Sequence, residues 1–295
     1  MDHITAKVSC FARACHSAEN AHPVFDDTAA RALLGPDYEQ IARSMIQGMD
    51  YFLSGLSCTP REGLRRIVDQ QLAPPVLARS AFCESRLREE IARGCRQYVL
   101  FAAGYDTFSI RNREADVDVF ELDLPQLLED KRRRMDRAGL SSRAVYVPCD
   151  LADPAWAEAL LQGGFRPRER CFGSLLGISY YLTEEEFSAL VASAGRMMAA
   201  GSAVCLDYPS AEESRAAGVQ RDLARGAGEP MRARYTPAEM EALVSACGFS
   251  VREHLSPEDM TGLFFSRHNR LAPEHPMAAP EGVRYLLAVK ESQTV

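Results

Sequence analysis

No apolar run in this 295-residue chain approaches 18 residues, so it offers no candidate for a membrane-spanning helix. The N-terminal stretch MDHITAKVSCFARACHSAEN also lacks the apolar centre of a signal peptide. Nine cysteines occur without a single Cys-x-x-Cys pair or regular spacing, which fits free thiols in a reducing compartment and excludes a zinc ribbon. A cytoplasmic location is therefore expected. Basic residues are outnumbered, 34 Lys and Arg against 41 Asp and Glu, and the net charge of −7 gives no field for nucleic acid or an anionic membrane. A small molecule is the expected partner. Internal repeats, low-complexity tracts and heptads are missing as well. What remains is a 46% apolar chain, enough for one large domain or one domain with additions.

Glycine is scarce where a phosphate-binding turn would need it. Residues 97–123 read QYVLFAAGYDTFSIRNREADVDVFELD: a buried strand over Tyr98–Ala103, a small-residue turn, and a second strand over Val117–Leu122 that ends in acid. A dinucleotide fingerprint requires glycine at the places held by Ala102, Gly104 and Thr107, and only Gly104 meets it. Asp123 nevertheless follows Gly104 by 19 residues, the spacing that puts a carboxylate on a ribose hydroxyl. Glu121, one strand step earlier on the same face, is the rival ribose ligand. A turn poor in glycine with a ribose acid suits an adenosyl cofactor without phosphates, so S-adenosylmethionine is expected over NAD.

Alternating strand and helix signals begin at Gln97. Pro125 opens a helix that Gly139 stops; Tyr146–Cys149, Cys171–Ser179 and Ala203–Asp207 read as the third to fifth strands. Thr183 with Glu186 and Thr236 with Glu239 read as capping boxes, and Ser250–Leu255 and Arg284–Lys290 as two late strands. This predicts a doubly wound, Rossmann-like, mostly parallel sheet with an antiparallel C-terminal strand and ligands beyond the strands' carboxyl ends. Residues 1–96, helical and broken at Gly35-Pro36, Thr59-Pro60 and Pro74-Pro75, are expected as a helical cap. Residues 97–295 form the expected core, with a lid-like insertion at about 209–235. The run Lys131–Arg134 reads as a solvated, salt-bridged helix face, and Cys10, Cys15 and His16 as plain helix residues rather than metal ligands.

TAKVSCFARACHS, PVFDD, Arg79, AAGYDT, VFELDLP, VPCDL, GISYYLTEEEF, LDYP and REHLSPEDM together resemble the leucine carboxyl methyltransferase family over nearly the whole chain. The resemblance implies a methyltransferase using S-adenosylmethionine. It implies Arg79 on the methionine carboxylate, Ala103 and Gly104 beside the methionine moiety, Asp123 on the ribose, and Asp150 and Leu151 around the adenine. Arg13 lies in the N-terminal segment that covers the cofactor in this family. The family's usual GAGLDTR is AAGYDTF here, with Ala102 for the first glycine and Phe108 for the arginine, and the Glu common near Leu176 is absent.

Tyr181 is the candidate catalytic residue because it follows the fourth strand, where the substrate crevice opens. Tyr180, Tyr208 and His254 are the candidate acceptor-binding residues. The expected acceptor atom is a carboxylate oxygen, which is ionised at neutral pH and needs no base. A hydroxyl or phenol acceptor is the alternative and would call on His254 or His16 as base. A non-catalytic S-adenosylmethionine-binding regulator is the second alternative. GISYY is not a nucleophile elbow, since Tyr181 stands where GxSxG needs its second glycine.

Overall fold

The structure, a computed structural model, describes residues 4–53, 57–112, 116–212 and 231–292. Six α-helices among the described residues precede the first strand, α1 (Ile4–Glu19), α2 (Ala30–Leu34), α3 (Pro36–Gln47), α4 (Met49–Phe52), α5 (Pro60–Ile67) and α6 (Ala73–Ala92), the last two joined by a π-helical turn at Val68–Leu72. Then follow β1 (Gln97–Phe101), α7 (Phe108–Arg111), β2 (Asp118–Asp123), α8 (Pro125–Ala138), β3 (Val145–Pro148), α9 (Trp156–Gln162), β4 (Cys171–Leu175), α10 (Glu184–Met197) and β5 (Ala203–Pro209). The chain closes with α11 (Pro237–Ala246), β6 (Phe249–Leu255), α12 (Pro257–Met260), α13 (Ser266–Leu271) and β7 (Val283–Lys290).

The seven strands lie in the order β3-β2-β1-β4-β5-β7-β6. The first five pair in parallel, and β7 runs antiparallel to both β5 and β6. The parallel strands are covered on both faces, which is why they read as continuous apolar runs. Their side chains alternate between two cores. Tyr98, Leu100, Phe172, Cys205 and Tyr285 face a core shared with α1, α2, α6 and α8, whereas Val99, Phe101, Leu175, Leu206 and Leu286 face a core built with α9, α10 and α11. The helices of residues 1–96 thus share one core with a face of the sheet. Four helix starts among the described residues carry reciprocal capping boxes, Thr59 with Glu62, Thr183 with Glu186, Thr236 with Glu239 and Ser256 with Asp259.

The fourth strand is shorter than its apolar run suggests. Pairing stops at Leu175, because Gly177 turns left-handed at φ 68° and its N–H leaves the ladder for the Asp207 carboxylate. Residues 176–183 therefore form a turn beyond the strand end, the place where an open α/β sheet receives ligands. Most of the lid-like insertion, residues 213–230, lies outside the described residues. Its two ends meet at a bridge between Ser210 and Tyr235, and Arg232 donates its N–H to the Tyr180 carbonyl at 2.7 Å. None of the described helices is long and apolar enough to cross a membrane.

Candidate functional site

The ends of β1, β2, β3 and β4 carry most of the predicted cofactor residues or their neighbours, and those of β1 and β2 meet directly. After β1, Ala102 and Gly104 both take positive φ, 57° and 50°, folding the turn back toward β2. Ala103 donates its N–H to the Leu122 carbonyl at 3.0 Å. At the end of β2 the Asp123 carboxylate accepts the Gly104 N–H at 2.7 Å and the Leu124 N–H at 2.8 Å. The 19-residue spacing is thus a direct contact. Asp150, two residues past β3, is exposed and accepts the Ala152 N–H at 2.9 Å, while Leu151 turns inward to the second core. Helix α1 passes over the turn: a side chain added at Gly104 would begin 3.7 Å from the Ala6 methyl.

Arg79, on α6, reaches the end of β4. Its guanidinium packs so closely over Gly177 that a β-carbon there would stand 2.6 Å from Nη1. The partner it has among the described residues is Asp207, at 3.6 Å. Asp207, fully buried on β5, also accepts from the Tyr180 hydroxyl at 2.9 Å. Burial and the Asp207 charge push the Tyr180 phenol well above its usual range, so it remains a donor at neutral pH. Tyr181 is half-buried, packs against the first core and stacks beside Tyr180 with ring centroids 6.2 Å apart.

Four sequence expectations land elsewhere. Glu121 is fully buried, where it accepts from Lys131 Nζ at 2.6 Å and from Ser109 Oγ at 2.5 Å, so its charge is spent on an internal ion pair. Lys131 is for the same reason no part of a solvated face, although Arg133 and Glu129 beside it do pair in solvent. Arg13 is a clamp: it donates to Asp27 at 2.7 Å and to the Tyr105 carbonyl at 2.7 Å, pinning α1 to the turn after β1. Tyr208 and His254 face the other core. The Tyr208 hydroxyl and His254 Nε2 share a hydrogen bond of 2.6 Å, and His254 Nδ1 meets Glu241 at 2.6 Å, on the sheet face opposite Asp207. Asp207 itself escaped the sequence reading, yet a lone acid inside the apolar run AVCLDYP was its signal.

His16 is wholly buried with both nitrogens occupied: Nε2 accepts the Val24 N–H at 3.0 Å and Nδ1 faces Asp69 at 2.8 Å. Among the described residues no group of three His, Cys, Asp or Glu could hold a metal ion, and all nine cysteines are free.

The profile of the leucine carboxyl methyltransferase family matches residues 6–194. The Bacillus subtilis (strain 168) protein YktD, whose name places it among S-adenosyl-L-methionine-dependent methyltransferases, is 34% identical over 98% of both chains. This chain belongs to the leucine carboxyl methyltransferase family. Its methyl donor is S-adenosylmethionine. A Frankia alni relative, also named for S-adenosyl-L-methionine-dependent methyl transfer, is 36% identical over 44% of this chain and 47% of its own. Among solved structures, a Thermobifida fusca protein described as a methyltransferase superposes with a TM-score of 0.61 at 15% identity, covering 95% of this chain and 94% of its own. A DUF574 protein from Streptomyces avermitilis gives 0.57 at 16%, over 84% and 97%. At such identities the two structures speak for the fold alone.

Proposed function

We propose that the protein methylates a carboxylate oxygen of a small-molecule acceptor, with Arg79, Ala103, Gly104, Asp123, Asp150 and Leu151 forming the S-adenosylmethionine site and Tyr181 orienting the acceptor. The residues fit the cofactor. Arg79 presents a guanidinium fork over a glycine, suited to the methionine carboxylate. Asp123 stands at the β1–β2 crevice with acceptor oxygens for a ribose diol, and Asp150 beside buried Leu151 suits an amino-purine. S-adenosylmethionine supplies an activated sulfonium methyl. The chain's own part is to fix that methyl in line with the acceptor oxygen and to exclude water. Residues 1–96, through the pinned α1, act as the roof of the site, and Tyr208 and His254 leave the acceptor pocket.

The observation that carries the carboxylate reading is the commitment of both candidate bases. His16 and His254 each have both ring nitrogens occupied, one beneath α1 and one on the far face of the sheet. A hydroxyl acceptor requires a base, whereas a carboxylate with a pKa near 4 does not. Methyl transfer to a panel of carboxylic acids and phenols tests this. An alkali-labile methyl ester, formed at a rate nearly flat from about pH 6 to 8, is the expected product. A methyl ether with a rising alkaline limb would overturn the carboxylate reading while leaving the cofactor site intact.

A further inference from the structure

Five groups meet beneath α6 at the ends of β4 and β5: Arg79, Gly177, Tyr180, Asp207 and Tyr285. Tyr285, on β7, is the direct cross-strand neighbour of Asp207 and is fully buried, yet its hydroxyl has no hydrogen-bond partner. An orphaned hydroxyl in a closed interior is unfavourable, and native structures keep such groups for a reason. Arg79, partly exposed beside it, is also short of partners. No hydrogen bond to it is formed among the described residues, and Asp207 stands at 3.6 Å, beyond hydrogen-bond length.

We infer that the Tyr285 hydroxyl is a further ligand for the carboxylate that Arg79 receives, the amino-acid end of the cofactor, and that Asp207 is the positioning residue that aims Arg79 at it. The inference rests on the assignment of Arg79 proposed above. Asp207 is fixed by the Gly177 N–H at 2.6 Å and the Tyr180 hydroxyl at 2.9 Å, so it meets the guanidinium along one edge only. A planar fork with five donors then keeps another edge for an incoming carboxylate. Gly177 is what lets the fork lie there, since any side chain would occupy its place. Burial and the Asp207 charge hold the Tyr285 phenol well above its usual range, against a smaller opposing pull from Arg79. At neutral pH it is a donor, and a carboxylate is the acceptor it lacks.

Two ligands separate the possibilities: S-adenosylhomocysteine, which carries the carboxylate, and 5′-methylthioadenosine, which lacks the amino-acid end. By calorimetry, Tyr285→Phe should weaken S-adenosylhomocysteine about tenfold or more, the scale of a hydrogen bond to a charged group. It should leave 5′-methylthioadenosine unchanged and the ligand-free thermal midpoint no lower. Unchanged S-adenosylhomocysteine affinity, or equal losses for both ligands, overturns the role of Tyr285. Asp207→Asn should weaken S-adenosylhomocysteine in the native background and add nothing to Arg79→Gln; additive losses overturn its action through Arg79. If Arg79→Gln itself leaves S-adenosylhomocysteine untouched, the assignment of Arg79 falls first. If Arg79→Gln weakens it and Tyr285→Phe does not, the inference falls alone.

Discussion

Ala102 holds φ at 57°, the sole positive value outside glycine among the described residues. A β-carbon in that region crowds the neighbouring carbonyl at a cost of about 1–2 kcal/mol, partly offset by the looser unfolded chain that glycine would bring. Ala102→Gly should therefore stabilise the protein by roughly 0.5–1 kcal/mol in chemical denaturation. A loss of stability would mean that the methyl packs usefully in the turn. The two acids of VFELD should separate cleanly. Asp123→Ala should weaken S-adenosylhomocysteine by about 1.5–3 kcal/mol, whereas Glu121→Gln should chiefly destabilise the fold by about 3–5 kcal/mol, because it strands the buried Lys131 ammonium. Burial disfavours that ammonium, but Glu121 outweighs it and raises the Lys131 pKa above 10.5. The stability that Lys131's raised pKa contributes is thus present at neutral pH and lost as pH climbs through the higher folded value. Denaturation and ligand titration of both variants check the division, and an Asp123 variant that binds normally would reassign the ribose ligand.

Helix α1 is held by a buried charge cluster as well as by its apolar face. Asp27 sits at the centre of the clamp, accepting from Arg13 at 2.7 Å, Thr107 Oγ1 at 2.6 Å and the Ala30 N–H at 3.1 Å. Burial opposes its ionisation, but Arg13, Arg111 and the Thr107 hydrogen bond prevail and hold its pKa below 3.8. The sign follows: the clamp contributes fully above the unfolded value and is lost as pH falls through the lower folded one. Asp27→Asn should lose stability at pH 7, and the gap to the native protein should narrow below about pH 4. A gap that persists unchanged into acid would remove the carboxylate's charge from the account. At this scale much was legible in sequence. The first two strands, the capped starts of α10 and α11 and the two late strands fall within a residue or two of expectation, because periodicity and caps are local signals. The overrun of β4 and the burial of Lys131 were hidden, since each depends on a partner distant in sequence, Asp207 for Gly177 and Glu121 for Lys131. The link from Arg13 to the Tyr105 carbonyl, 92 residues apart, was likewise beyond any local pattern.

For the whole molecule, a ligand held by Arg79 and Asp123 as proposed would join α6 to the sheet. S-adenosylhomocysteine at 100 times its dissociation constant should add about 2.7 kcal/mol to stability and raise the thermal midpoint by several degrees. NAD should leave the midpoint where it is; a shift with NAD and none with S-adenosylhomocysteine would refute the cofactor assignment.

The placement of β7 between β5 and β6 carries a cost of another kind. Ribosomes deliver sequence in order, and β6 emerges before the strand it must pair with. Until residues 283–290 follow, β5 is an open edge and β6 has no place in the sheet. Unpaired edges of that sort recruit neighbours, so the nascent protein is most exposed to misassembly late in its synthesis. Tyr285 rides on that same strand. A chain stalled or clipped before it therefore holds the first five strands of the sheet without the means to finish either the sheet or its pocket.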